Sequence, residues 1–370
     1  MLRRVEIKGF RSIKDAAVDL HALNVLIGAN GSGKSNFIAF FKMLNEMMGG
    51  RLQAYIGQTG RAEALLHLGP KNTPQFEARL EFEVQNGIDT YEMRLFHAAG
   101  DSLIFAEEGL GFHQAGFEQP RNVSLGAGHA ETRLHDRAAD GEPTAKALRY
   151  LLSQCRVYHF HDTSPTARIR QYCLLDNNRW LMPDGGNLAA MLYAYRLQTE
   201  MVYKRIVSAV RKILPEFDDF DLQPDRLNSR EIILNWKKRG SDYVFGAHQL
   251  SDGTLRAMAL VALFLQPDKD IPALTILDEP ELGIHPQALE LIAGLIRAAS
   301  VKKQVIVATQ SAHFLNYFDL SEIIIVESEH NRTGFRRLPL EPLKDWLDDY
   351  SVGELWQRNV LGVACSSPAS

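Results

Sequence analysis

The sequence predicts an α/β protein: a largely parallel sheet covered by helices, joined to an antiparallel β subdomain and interrupted by an inserted helical lobe. Three observations predict it. The apolar run Asn24–Ile27 leads straight into the glycine loop Gly28-Ala29-Asn30-Gly31-Ser32-Gly33-Lys34-Ser35, and then into a stretch rich in Phe, Ile, Leu and Met from Asn36 to Met48. Residues 76–84 alternate strictly between apolar and mostly charged side chains. From Ser251 onward the pattern becomes helix, strand, helix, strand. That is the mark of parallel strands with helical crossovers.

Taken in order, Val5, Ile7 and Phe10 lie on one face of a first strand, and a second strand around Ala17–Leu20 leads to the run before the glycine loop. Phe76, Ala78, Leu80, Phe82 and Val84 form one face of a strand that turns at Asn86-Gly87 and returns through Tyr91, Met93 and Leu95. Residues 102–106 add another strand. Residues 111–145 are rich in Gly, His and charge and lack periodicity, so they read as a long loop or poorly ordered insert. Leu148 to His161 reads as a helix passing into a strand. Asn187 to Leu214 carries one continuous apolar stripe and reads as a single long helix stopped by Pro215. Glu231–Trp236 and Asp242–Phe245 read as a hairpin across Lys237-Lys238-Arg239-Gly240. The expected organisation is a discontinuous core of residues 1–110 and 250–340, an inserted, largely helical lobe at 111–249, and a helical tail at 341–370.

The chain has 370 residues, 45% hydrophobic, with a net charge of −4. That supports an ample core. It excludes a global attraction to nucleic acid. Two local basic features remain, the cluster Arg3, Arg4, Lys8, Arg11 and Lys14 and the 237–240 tip; each fits either a solvated surface or a DNA contact. Cys155, Cys173 and Cys365 lack metal spacing and fit buried or incidental thiols in a reducing compartment. The charged N-terminus predicts no secretory leader. The longest apolar stretch, Met258 to Leu265, is too short to span a bilayer. A cytoplasmic protein without a membrane partner is expected.

The glycine loop fits G-x-x-x-x-G-K-[ST] at every fixed position. Glycines let successive amides converge on phosphate oxygens, and the following helix adds its positive end. Gly28, Asn30, Gly31, Ser32, Gly33, Lys34, Ser35 and Asn36 are therefore the expected nucleotide cradle. Lys34 reaches the outer phosphates, and the Ser35 hydroxyl is placed to ligate Mg²⁺. Ala273–Leu277 is an apolar strand that ends in Asp278-Glu279-Pro280. An aspartate there suits the same Mg²⁺, and Glu279 suits a water positioned for attack on the γ-phosphate. Leu250-Ser251-Asp252-Gly253-Thr254 opens the helix Leu255–Leu265, with Ser251 as a natural N-cap.

The order of glycine loop, Leu-Ser-x-Gly, Leu-Asp-Glu-Pro and Ala308-Thr309-Gln310-Ser311 resembles the ATP-binding-cassette (ABC) superfamily of P-loop NTPases. Ile7-Lys8-Gly9-Phe10-Arg11-Ser12-Ile13 resembles its RecF, SMC and OLD (overcoming lysogenization defect) branch. Asp184–Leu188 and Leu347–Trp356 resemble stand-alone ATPases of that branch. The resemblance implies ATP and Mg²⁺, and a head-to-tail homodimer in which Ser251 and Gly253 of one copy meet the γ-phosphate held by the other. It implies that residues 281–286 cross the dimer seam and places Arg11 or Ser12 near base or ribose. Gln310 stands where the family's transporters carry a switch histidine. A glutamine can bond phosphate or water but cannot take a proton, so slow hydrolysis is expected. His313 is the alternative there. Gln58 and His161 are the candidates for the family's metal-contacting glutamine.

About 60 residues follow the Gln310 strand, too few for a nuclease domain of usual size. No heptad arms are present. The resemblance therefore implies a regulatory ATPase acting on a DNA-linked process in repair or phage defence, through DNA or a separately encoded nuclease or toxin. The alternatives are a nucleotide-gated scaffold with little turnover and the motor subunit of a transporter.

Overall fold

The computed structural model describes residues 1–339, 341–343, 346 and 348–363. Cys365 and Leu347, named above, lie outside the described residues. Two compact units emerge: Met1–Val157 with Ala273–Ile276 and the described part of Lys303–Ser370, and Tyr158–Pro272 with Leu277–Lys302.

The first unit opens with strands β1 (Leu2–Phe10), β2 (Ile13–Asp19) and β3 (Leu23–Ile27), followed by helix α1 (Lys34–Met48). Short helices α2 (Leu52–Gln58) and α3 (Arg61–Leu65) lead to β4 (Gln75–Val84), β5 (Gly87–Ala98), β6 (Ser102–Gln114) and β7 (Arg121–Gly126). These strands form an antiparallel sheet in the order β2-β1-β4-β5-β6-β7. Its inner face buries Val5, Ile7, Phe76, Leu80, Phe82 and Leu95 in one core with Phe37, Phe40, Phe41 and Met47 of α1. Its outer face carries cross-strand pairs such as Arg94–Glu107 at 3.2 Å. This is the alternation of a sheet with one wet face.

Residues 111–145 are ordered, which corrects the expected loop. β6 runs on to Gln114, β7 pairs with it, and α4 (Leu134–Ala139) and α5 (Pro143–Ser153) follow, leading into β8 (Cys155–Tyr158). The physical cause is a carboxylate. Glu108 is fully buried and accepts hydrogen bonds from Tyr91 Oη at 2.5 Å, His129 Nε2 at 2.8 Å, the Arg133 amide at 2.9 Å and Thr132 Oγ1. His129 also stacks on Phe105 at 4.6 Å. A buried charge so fully bonded fixes the segment that supplies its donors. The domain limits shift accordingly, and residues 111–157 belong with the first unit.

The second unit holds β9 (Cys173–Leu174), β10 (Phe217–Asp221), β11 (Glu231–Ile232), β12 (Asn235–Lys238) and β13 (Val244–Gly246), with α6 (Leu188–Gln198), α7 (Glu200–Ile213), α8 (Asp252–Leu265) and α9 (Pro286–Ser300). The expected long helix is two helices. They part at Thr199, whose φ of −142° and ψ of 63° are non-helical. Thr199 is a cap-forming residue followed at once by Glu200, a helix start inside an unbroken apolar stripe. Glu231–Ile232 pairs with β9, and the hairpin is β12 with β13. Helix α8 packs on α6, α7 and α9, so residues 250–272 and 277–302 belong with this unit rather than with the 1–110 core.

The first unit also owns the central sheet. Its order is β17-β16-β3-β15-β14-β8, with β14 (Leu274–Asp278), β15 (Gln304–Thr309), β16 (Ile323–Glu329) and β17 (Arg332–Arg337). β3 is flanked by parallel β15 and β16, and β17 closes one edge antiparallel. Val25, Leu26, Ile27, Val305, Ile306, Val307 and Ile325 are all fully or nearly fully buried, as strands covered on both faces require. Short helix α10 (Ala312–Leu315) follows β15. It is met by α11 (Val352–Gln357), whose Gly353 amide donates to Asn316 Oδ1 at 2.7 Å; α12 (Val360–Val363) ends the described chain.

Candidate functional site

The first unit builds a glycine-rich loop at the C-terminal end of β3. Ala29, Asn30 and Gly31 are exposed, while Gly28, Ser32, Gly33 and Lys34 are buried. Gly31 and Gly33 adopt φ values of 77° and 110°. Gly33 is the N-cap of α1 and lends its carbonyl to the amides of Asn36 and Phe37, each at 3.0 Å. The Lys34 and Ser35 amides head the helix, where no intrahelical carbonyl can reach them. The first turn of α1 holds no acidic side chain of its own, so the positive end of the helix is not offset from within it. Lys34 Nζ lies across the loop, 2.6 Å from the Gly28 carbonyl and 3.1 Å from that of Ala29. The Ser32 hydroxyl is buried without a hydrogen-bond partner among the described residues. Phosphate oxygens fit this set of donors.

Gln310 is brought to the same end of the sheet. Thr309 pairs with Ile27 in the parallel ladder, so Gln310 leaves β15 level with Gly28. Ser311 caps α10 by accepting from the Phe314 amide. His313 lies inside that short helix, beside Tyr317 at 5.7 Å between rings. Arg11 and Ser12 form the β1–β2 turn. Arg11 sits at φ 48°; its amide donates to Leu65 and its carbonyl meets His67 Nδ1 at 2.7 Å. Gln58 ends α2, exposed.

The second unit gathers Asp278, Glu279, Ser251 and Gly253 around the start of α8. Glu279 adopts φ 41°, a left-handed conformation that costs a non-glycine residue about 1–2 kcal/mol. It turns the chain sharply after β14, and the Leu282 amide closes back on its carbonyl at 3.2 Å. His161 Nε2 meets the Asp278 carbonyl at 2.8 Å. So His161 stands beside the acidic pair, engaged with backbone.

Gly253 is dictated by space. A Cβ there would lie 1.8 Å from the Gly283 carbonyl oxygen, so the start of α8 rests directly on the loop that follows Glu279. Ser251 Oγ accepts from the Thr254 amide at 3.2 Å and is exposed.

Two buried arginines complete this block, and motif reading missed both. Arg256 donates to the carbonyls of Phe160 (2.8 Å), His161 (2.7 Å) and Leu282 (2.6 Å). Arg170 donates to the Thr163 carbonyl at 2.7 Å, to the Ala247 and Leu250 carbonyls, and to Asp252 Oδ1 at 2.8 Å. Removing either would strand buried carbonyls at about 1–3 kcal/mol each. The Asp252 carboxyl is held below the usual carboxylate range, first by the Thr163 hydroxyl and then by Arg170. Arg170 thus offsets the carboxylate in the first turn of α8. One signal for Arg256 was present: it interrupts the long apolar face of α8.

Four residues of the basic features form ion pairs. Arg4 bonds Glu6 and Asp19 at 2.7 and 2.8 Å, Lys8 lies 4.0 Å from Asp15, Lys237 lies 3.9 Å from Asp221, and Lys238 lies 2.5 Å from Glu216.

Residues 1–86 match the family described as "AAA ATPase domain", and residues 156–316 match "AAA domain, putative AbiEii toxin, Type IV TA system". Among solved structures, the SMC head bound to the C-terminal winged-helix domain of ScpA is similar, with a TM-score of 0.62 at 16% identity, covering 93% of this chain and 99% of that one. An SMC head with an extended coiled coil, bound to the C-terminal domain of ScpA derived from Pyrococcus furiosus, gives 0.60 at 16% identity, covering 94% and 98%. This is an ABC/AAA-type ATPase fold. No curated protein matches the sequence. The ATPase fold agrees with the expected α/β class and with the antiparallel β subdomain. Among the described residues, no helix is long and apolar enough to cross a membrane.

Proposed function

We propose that the protein binds ATP with Mg²⁺, dimerises head to tail around it, and hydrolyses it slowly to regulate a DNA-linked process or a separate effector. One observation carries this reading: a helix start with no acidic residue in its first turn, wrapped by the 28–35 loop, with Gln310 emerging at the level of Gly28. The Gly28–Asn36 segment holds the phosphates, and Lys34 exchanges its carbonyl contacts for phosphate oxygens. Ser35 and Asp278 would hold Mg²⁺, which would supply charge neutralisation on the phosphates. Glu279 orients the attacking water and takes its proton. Gln310 bonds the γ-phosphate or that water. Ser251 and Gly253 act on the nucleotide of a second copy, where a serine-capped helix start suits an anion. Arg11 stays a proposed contact to base or ribose. The DNA-linked role follows from the RecF/OLD resemblance alone.

Lys34→Ala tests the nucleotide reading. Loss of a phosphate-contacting ammonium should weaken ATP–Mg²⁺ binding by at least about 100-fold, twice the free energy of one tenfold step. Titration calorimetry on the full chain reads this directly. Unchanged affinity would remove the glycine loop as the nucleotide site.

A further inference from the structure

The glycine loop is fastened from outside by a chain of side-chain hydrogen bonds. Asn36 Nδ2 lies 2.6 Å from Ser12 Oγ, Ser12 Oγ lies 2.7 Å from Thr333 Oγ1, and Thr333 Oγ1 lies 3.1 Å from the Ser32 carbonyl oxygen. The two ends fix the direction. An amide nitrogen only donates and a carbonyl only accepts. Ser12 therefore donates to Thr333, and Thr333 donates to Ser32. Bonds aligned this way polarise one another. Thr333 is only 2% exposed, so water does not compete for its hydroxyl. Its amide also bonds the Ser12 carbonyl, at 2.9 Å.

The target of this chain is a single peptide unit, Ser32–Gly33. It is trans, like every described peptide bond. In a trans peptide the C=O and N–H point in opposite directions. With the Ser32 oxygen turned to Thr333, the Gly33 N–H must point away from Thr333. A peptide next to glycine has little steric reason to hold one orientation. Turned over, it would aim a carbonyl oxygen where an amide hydrogen stood. The same Thr333 side chain fills the space beside Gly33, where a Cβ would lie 2.0 Å from Oγ1. The Ser32 hydroxyl, buried and unpartnered, is a second donor left for a ligand in this unit of the loop.

We propose that Thr333 is a positioning residue for phosphate binding, with Ser12 supplying the hydrogen bond that holds its hydroxyl in place. Thr333 sets the direction of the Gly33 amide from a strand 300 residues downstream of the loop. Ser12 is thereby committed to the loop rather than to a ribose. This inference rests on the nucleotide-binding reading.

The test compares Thr333→Val, which keeps the branched shape and removes the donor, with Thr333→Ser, which keeps the donor. The readouts are ATP–Mg²⁺ affinity by calorimetry and the melting temperature of the nucleotide-free protein. The valine variant should bind about tenfold more weakly, and the serine variant within about threefold of the parent. Ser12→Ala, which leaves Thr333 in place, should fall between them, and it carries the test if the valine variant does not fold. Parental affinity in both Thr333→Val and Ser12→Ala overturns the proposal. So does a serine variant as weak as valine, or a lower melting temperature with affinity unchanged. Lys34→Ala is measured alongside: if it too binds like the parent, the nucleotide reading itself has failed and the Thr333 proposal falls with it.

Discussion

Glu279→Gln should abolish ATP turnover, by at least about 100-fold, while leaving ATP binding intact and trapping a dimer. A positioned general base contributes roughly 10²–10⁴ in rate, and glutamine keeps the shape while losing the proton acceptor. The backbone argues that this residue is held for a purpose. Glu279 sits at φ 41°, just before Pro280, where extended conformations are normally favoured. Such strain persists only when the surroundings impose it. Here they include the Leu282 amide on the Glu279 carbonyl, His161 on the Asp278 carbonyl, and Arg256 on the Leu282 carbonyl. Phosphate release measures turnover, and light scattering with and without ATP–Mg²⁺ measures assembly. A hydrolysis rate equal to the parent's would take Glu279 out of the chemistry and favour the nucleotide-gated scaffold.

Ser251→Arg should stop hydrolysis just as completely, yet leave the affinity of a single subunit for ATP unchanged. Ser251 and the glycine loop lie in different compact units. Locally, the serine cap on the Thr254 amide is lost, at a cost of about 1 kcal/mol. The added cation sits at the positive end of α8, a further few tenths of a kcal/mol. Neither is enough to unfold the chain. In the proposed head-to-tail dimer, the large effect comes from bulk placed where a second copy's nucleotide would seat. Titration separates the outcomes: weakened ATP binding in a folded, monomeric variant would put Ser251 in a role within its own subunit.

Local patterns carried much of this structure. The strand, glycine loop and α1 were legible because the motif specifies a loop conformation as well as a set of residues. The alternation of β4 and β5 was equally plain, since one face must meet water. What stayed hidden depended on partners distant in the chain. Residues 111–145 looked irregular because their order comes from Glu108, a carboxylate on an inner face that composition reads as a surface charge. The break at Thr199 was masked by an apolar stripe that continues across it. Arg170 and Arg256 belong to none of the motifs, and the carbonyls they meet converge only in the folded chain. Thr333 carried no signal, since its role exists only once β17 lies beside the loop.

The three loop glycines are irreplaceable to different degrees. Gly31 faces open space, and its φ of 77° is its sole restriction, so asparagine or aspartate should pass there. Gly28 has no such backbone demand but is walled in, with a Cβ falling 2.3 Å from the Val326 carbonyl oxygen. Gly33 faces both barriers at once. A saturation library sorted on nucleotide retention should therefore return a graded tolerance profile, permissive at Gly31 and glycine-only at Gly28 and Gly33. Equal intolerance at all three would mean that the ligand itself, rather than the fold, imposes the consensus.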